Sequence, residues 1–341
     1  MSQKSLALGA ALAVALGLAA CADTSSSTAD PADAGSSAAA GGFEFGDMTL
    51  VVGYGPGSST DAGARLMAAQ LEERLGTTVT VQNQEGAGGQ VGLTALAGAE
   101  CDGNTFGTIN FPSAIVSVLD ETRGATYTRE SFSPVALMVV DPTAVAVLPD
   151  DEIQTPEDLV EVAEADPGQL QYTTTGVASQ EHFAAIALEQ ATGTTLSAVH
   201  FPDGGSQVKT TFLGGDVRLF IANVSDMTDL VENDQARVVG VMEEERSPLL
   251  PDVPTFTESG YEVNMSSSRG FAYPSCAPEA AVTALSDAIG DVMEDPAFLD
   301  QMEAAGLAPA YLDSTDYAEY WSDREADFTE IFDLAFEEQA P

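Results

Sequence analysis

Six loops in this chain place glycines, hydroxyls or amides directly after short runs that read as strands. The first is Gly53-Tyr54-Gly55-Pro56-Gly57-Ser58-Ser59-Thr60-Asp61. Its glycines let backbone N–H groups come close to a ligand. Its hydroxyls and the helix N-terminus that follows favour an anion. Gln84-Glu85-Gly86-Ala87-Gly88-Gly89 is the second, and Asn110-Phe111-Pro112-Ser113 is the third. Then come Thr173-Thr174-Thr175-Gly176-Val177-Ala178-Ser179, Phe201-Pro202-Asp203-Gly204-Gly205 and Ala222-Asn223-Val224-Ser225. Each alone is a weak signal. Together they describe a polar cleft floor that can hold a carboxylate with neutral donors.

Other chemistries fit less well. Gly53, Gly55 and Gly57 follow a strand, as in a dinucleotide-binding turn. Ser58 fills the third-glycine position of that fingerprint, and Glu85 lies too far along to hold a ribose. A plain tight turn would also explain these glycines. His182 and His200 are the only histidines. Ser179 precedes His182 by one helical turn, which alone is not a triad. No nucleophile elbow and no zinc-ligand spacing occurs, so the sequence assigns no catalytic residue, no metal and no cofactor. Both histidines read as structural. Among the few arginines, Arg65 lies on a helix where an ion pair is expected. Arg269 lies between a Ser-rich stretch and an apolar run. It suits either a hinge or charge pairing with a ligand.

The composition narrows the partners. Asp and Glu number 54 against 11 Lys and Arg, a net charge of −43. Phosphate binding needs clustered Lys and Arg, so nucleic acid is excluded. The scattered acids read as a solubility or high-salt adaptation of the surface rather than as a cation site. The N-terminus carries Lys4, an apolar run from Leu6 to Leu18, and then Leu18-Ala19-Ala20-Cys21. That is a secretory signal ending in a lipobox, with residues 1–20 removed and Cys21 lipidated. The apolar run is too short to span a bilayer comfortably. Residues 21–43 are rich in Ser, Ala and Gly and read as a flexible tether to the membrane. The folded part then sits outside the cytoplasm. There Cys101 and Cys276 can form a disulfide; two separate buried thiols are the alternative.

The elements that would position the loops alternate. Strands are expected at Met48–Val52, Thr78–Gln82, Thr105–Asn110, Val135–Val140, Ala144–Leu148, Leu170–Thr174, Ala198–Phe201, Val217–Ala222, Val238–Met242 and Gly270–Tyr273. Helices are expected at Asp61–Leu75, Gln90–Ala99, His182–Ala191 and Gln207–Leu213, with a further one opening at Thr155-Pro156-Glu157-Asp158. Three more fill the tail from Pro278. This pattern gives an α/β fold with largely parallel sheets.

One ordered set of residues carries a family likeness. It runs through Thr49-Leu50-Val51-Val52, Thr60-Asp61, Arg65-Leu66, Val81-Gln82-Asn83 and Gly86-Ala87-Gly88-Gly89. It continues through Phe132-Ser133-Pro134-Val135-Ala136, Thr155-Pro156-Glu157-Asp158-Leu159 and Pro167-Gly168-Gln169-Leu170. It ends in Leu213-Gly214-Gly215-Asp216-Val217 and Leu250-Pro251-Asp252-Val253-Pro254-Thr255. The chain resembles the extracytoplasmic solute receptors of tripartite tricarboxylate transporters, the Bug family, from Met48 to the C-terminal helices.

The resemblance implies a type II periplasmic-binding-protein fold, with two lobes joined by hinge strands and a ligand cleft between them. Lobe 1 would comprise residues 44–141 and 246–341, and lobe 2 residues 142–245. It implies a small carboxylate ligand, a monomer, and membrane permease subunits as partners. It points to Tyr54, Pro56, Gly57, Ser58, Ser59 and Asp61 in one lobe and to Thr174, Thr175, Gly176 and Ser179 in the other. Asn223 and Ser225 match a family segment that often reads Asp-Asn. Asn110, Ser113 and Arg269 complete the expected ligand set. Phe201-Pro202 replaces a common Tyr-Lys pair, and Ser58-Ser59 stands where glycines are common. An extracellular hydrolase and a ligand sensor for a signalling partner are the rival readings.

Overall fold

The computed structural model describes residues 43–201 and 205–337. Cys21, the signal segment and the tether up to Gly42 lie outside the described residues, as do Pro202, Asp203 and Gly204. The chain runs through β1 (Met48–Val52), α1 (Ser59–Leu75), β2 (Val79–Asn83), α2 (Gln90–Ala97), β3 (Thr105–Phe111), α3 (Ser113–Leu119) and β4 (Phe132–Val147). It continues through α4 (Pro156–Ala165), β5 (Gln171–Thr174), α5 (Gln180–Thr192), β6 (Ser197–His200), α6 (Gly205–Leu213), β7 (Leu219–Asn223), α7 (Thr228–Glu232) and β8 (Arg237–Val241). Last come β9 (Ser266–Pro274), α8 (Glu279–Met293), α9 (Pro296–Ala304), β10 (Pro309–Leu312) and α10 (Ser314–Glu337).

Local chemistry sets several helix boundaries. The Ser58 hydroxyl accepts the Asp61 N–H at 3.2 Å and opens α1. Gly76, at φ 67°, closes it and donates its N–H to the Glu72 carbonyl. Thr155 and Asp158 cap α4 reciprocally, with Pro156 in the first turn. Each such cap contributes about 1 kcal/mol.

The strands lie in the order β2-β1-β3-β9-β4-β7-β5-β6, with β8 and β10 also paired to β4. β1 is parallel to β2 and β3, and β5 is parallel to β6 and β7. The centre is antiparallel: β9 runs against both β3 and β4, and β4 runs against β7, β8 and β10. This corrects the expectation of largely parallel sheets. The two strands expected at Val135–Val140 and Ala144–Leu148 are one strand, β4. Its pairing changes at Pro142: Pro142 lies opposite Ser266 of β9, and Thr143 opposite Asn223 of β7. Proline has no N–H to donate, and it sits where the strand leaves one set of partners for another. β9 also extends further than expected, taking in the serines before Gly270.

Buried apolar clusters support each half. Leu50, Phe106, Phe271 and Phe298 lie in one. Val208, Phe212 and Phe220 lie in another. Each such side chain stabilises the fold by about 1.5–3 kcal/mol. α10 touches both halves. Its Trp321 packs edge-on against Phe111 and stacks on Phe132, and about two turns later Phe328 packs against Phe183 of α5. Cys101 and Cys276 form a disulfide that ties the approach to β3 to the segment after β9.

Candidate functional site

The first loop is shaped from within. A Cβ on Gly53 would stand 3.0 Å from the Gly89 carbonyl oxygen, so the two Gly-rich loops meet only because Gly53 has no side chain. The Tyr54 hydroxyl donates to the Gly88 carbonyl at 3.1 Å. Asp61 is buried beneath the loop. Its carboxylate accepts from the Gly57 N–H (2.9 Å), Arg65 Nε (2.9 Å) and Asn83 Nδ2 (2.8 Å). Asn83 Nδ2 also donates to the Tyr54 carbonyl at 2.8 Å. Burial alone would raise the Asp61 carboxyl, but the bonds from Arg65, Asn83 and Gly57 outweigh it and hold it at about 2. Asp61 therefore organises the loop, while Pro56, Gly57 and Ser59 stay exposed above it.

The floor lies on the central strands. Asn110 of β3 stands opposite Arg269 of β9, Arg269 opposite Val139 of β4, and Ser267 opposite Asp141. Directly opposed residues share a face, so Asn110, Arg269, Ser267 and Asp141 form one polar patch. Asn110 Nδ2 donates to the Thr60 hydroxyl at 2.7 Å, and its Oδ1 has no partner among the described residues. The Arg269 side chain is 11% exposed; Nη2 lies 4.0 Å from Asp141 Oδ2, and Nη1 has no partner among the described residues. Asp141 is fully buried and accepts from the Ser225 hydroxyl (2.5 Å) and N–H (3.2 Å). Burial pushes its carboxyl up, against the pull of Ser225 and Arg269. Burial likewise pushes the Tyr54 phenol up, while the Ser113 hydroxyl and the Arg269 charge act against that rise. Asn110 and Asp141 thus flank the Arg269 guanidinium and Tyr54 lies within reach of its charge, while Ser113 touches Tyr54 and Ser225 touches Asp141. A buried donor left unmade costs about 1–3 kcal/mol, and an acceptor placed at Nη1 would recover it.

The third group lies across the strand order at β5. Thr174 Oγ1 lies 2.8 Å from Ser179 Oγ and accepts from the Gly176 N–H at 3.1 Å. These groups shape their own loop. Thr175 Oγ1 instead donates to Glu181 Oε2 at 2.9 Å and lines a cavity of about 330 Å³ together with Ser225, Asp226 and Lys209. Asn223 lies opposite Thr143, whose hydroxyl accepts from Gln180 Nε2 at 2.8 Å; Asn223 Oδ1 and Gln180 Oε1 have no partner among the described residues. The Ser58 and Thr175 loops share no hydrogen bond among the described residues. Arg269, Asp141 and Ser225 occupy the strands and turn between them.

Ser179 and His182 do not form a nucleophile–base pair. The Ser179 hydroxyl accepts from the His182 backbone N–H at 3.4 Å rather than meeting its ring, and His182 Nδ1 accepts from the Ala178 N–H at 3.1 Å. Among the described residues no three His, Cys, Asp or Glu side chains converge as a metal site would require. Sequence reasoning missed Asp141, Gln180, Asp226 and Ser267. Asp141 had a visible signal, a lone acid inside a long apolar run.

Comparison with known proteins agrees with this architecture. The family model described as tripartite tricarboxylate transporter family receptor matches residues 63–333. Protein BugT of Bordetella pertussis is 26% identical over 265 residues, 77% of this chain and 81% of its own. A TctC solute binding protein from Polaromonas superposes with a TM-score of 0.77 at 21% identity, covering 85% of this chain and 98% of its own. An R. palustris protein solved with adipate gives a TM-score of 0.70 at 24% identity, with 85% and 97% covered. The likeness gives the chain the periplasmic-binding-protein fold of two lobes, and β4, shared by both sets of strands, joins its halves.

Proposed function

The chain belongs to the tripartite tricarboxylate transporter receptor family, and on that premise we propose that it captures a small carboxylate in its cleft and delivers it to membrane permease subunits. The family's members are solute-binding receptors, not enzymes. The observation that carries the ligand class is Arg269 Nη1, a nearly buried donor with no partner among the described residues, with Asn110 opposite it across the strands and Tyr54 within reach of its charge. A carboxylate oxygen satisfies it. The adipate held by the R. palustris protein is of the same chemical class.

Binding needs no chemistry. The two lobes, residues 44–141 with 246–341 and residues 142–245, rotate about the joining strands and close on the solute. Closure is stabilised only by contacts that the solute makes with both. The change of partners at Pro142 in β4 supports the first boundary, and α10 bridges the joint. The receptor acts as a monomer, held outside the cytoplasm by lipid on Cys21. Lys4, the apolar run and Leu18-Ala19-Ala20-Cys21 support that anchor.

A thermal-shift screen of mono-, di- and tricarboxylates tests the ligand class, because a ligand that binds only the folded chain raises its melting point by mass action. At least one carboxylate should raise it by several degrees. A shift with sugars or simple amines, and none with any carboxylate, would overturn the class.

A further inference from the structure

Ser225, whose hydroxyl holds Asp141, also lines the cavity of about 330 Å³, at the lower end of the ~300–1,000 Å³ of small-molecule sites. Its charge is opposite to that at Arg269. Glu181, Asp226 and Asp229 line it against a single cation, Lys209. Both Asp229 oxygens lie 3.1 Å from Lys209 Nζ, so that ammonium is already matched. The Asp226 carboxylate makes no hydrogen bond among the described residues. Two carboxylates, Asp226 and Glu181, have no ion-pair partner among the described residues.

One further orphan group shares a face with the cavity lining. Thr173 is fully buried with an unpartnered hydroxyl, and it stands opposite Phe220, which lines the cavity. A second carboxylate placed here would meet like charge and no free donor cation. A divalent metal would need three converging ligands, which the described residues do not supply. An ammonium supplies three N–H donors and the missing positive charge.

We infer that the solute is zwitterionic, its carboxylate at Arg269 and a primary ammonium in the pocket of Asp226 and Glu181. This rests on the carboxylate-receptor reading and narrows it to amino acids.

Calorimetric titration of length-matched pairs tests it: succinate against β-alanine, glutarate against γ-aminobutyrate, and adipate against ε-aminocaproate. In at least one pair the amino acid should bind at least about tenfold more tightly, and Asp226→Asn should bring that ratio towards unity. Burial pushes Asp226 up to about 6, with Asp141 and Glu181 adding to the rise and Arg269 and Lys209 opposing it. The amino-acid advantage should therefore shrink as pH falls through about 6. Dicarboxylates binding more tightly in every pair would overturn the inference and leave the receptor reading intact. Binding by neither set, together with an empty carboxylate screen, would overturn both.

Discussion

Arg269 and Asp141 lie on neighbouring antiparallel strands with Nη2 and Oδ2 4.0 Å apart, and the guanidinium keeps Nη1 without a partner among the described residues. The pair is thus half-made. Asp141 accepts from Ser225 on its other side, whereas Arg269 keeps a donor to spare among the described residues. Such an arrangement fixes a cation without neutralising it, which is what the proposed anion site needs in so acidic a chain.

Arg269→Gln should weaken carboxylate binding about 100-fold, the scale of a lost charge-assisted hydrogen bond. It should also destabilise the empty protein by about 1–3 kcal/mol, because Asp141 stays buried with its charge unmatched. Arg269→Gln combined with Asp141→Asn should recover much of that stability without recovering binding. Urea unfolding and calorimetry on the three variants separate the two effects. Full recovery of affinity in the double variant would contradict the role given to Arg269.

Asp61 predicts a pH dependence. Its carboxyl is depressed from 3.8 to about 2, so its contribution is fully present above the ordinary carboxylate value and is lost as pH falls through about 2. At neutral pH that contribution is about 2 kcal/mol. Asp61→Asn should be less stable than the parent at pH 7, and the two should converge in acid. A stability gap that persists unchanged below pH of about 2 would show that the loss lies elsewhere.

The disulfide closes a segment of sequence separation 175. Replacing both Cys101 and Cys276 by serine should cost about 2–5 kcal/mol. Differential scanning calorimetry with and without reductant checks this, and an unchanged melting point under full reduction would contradict it.

Net charge sets the kinetics. At −43 the chain repels an anion before contact, and salt screens that repulsion within about 10 Å at 0.1 M. Stopped-flow association rates for a dicarboxylate should rise with ionic strength. Rates that fall with salt would mean that the local field at Arg269 outweighs the surface.

The sequence made some of this legible and hid the rest for physical reasons. Thr155 announced its helix because a cap is a local device, one side chain bonding to an amide three residues on; the Ser58 cap read only as part of the Gly-rich loop. β9 was half hidden, because Ser266, Ser267 and Ser268 carry no apolar alternation; β3 and β4 on either side hold them extended. β4 read as two strands because Asp141-Pro142 interrupts its apolar run. In the fold Ser225 and Arg269 offset the acid, and the change of partners accommodates the proline. Arg269 was nominated from scarcity, yet only cross-strand register shows that Asn110 stands opposite it. Asp226 could not be read at all, since its setting is a cavity assembled from separate elements.

The most direct measurement is a crystal structure of the protein with the tightest-binding carboxylate. A carboxylate oxygen should lie about 2.7–2.9 Å from Arg269 Nη1, the distance of a charge-assisted hydrogen bond, with the solute touching residues of both lobes. A solute bound away from Arg269, or held by one lobe alone, would contradict the account.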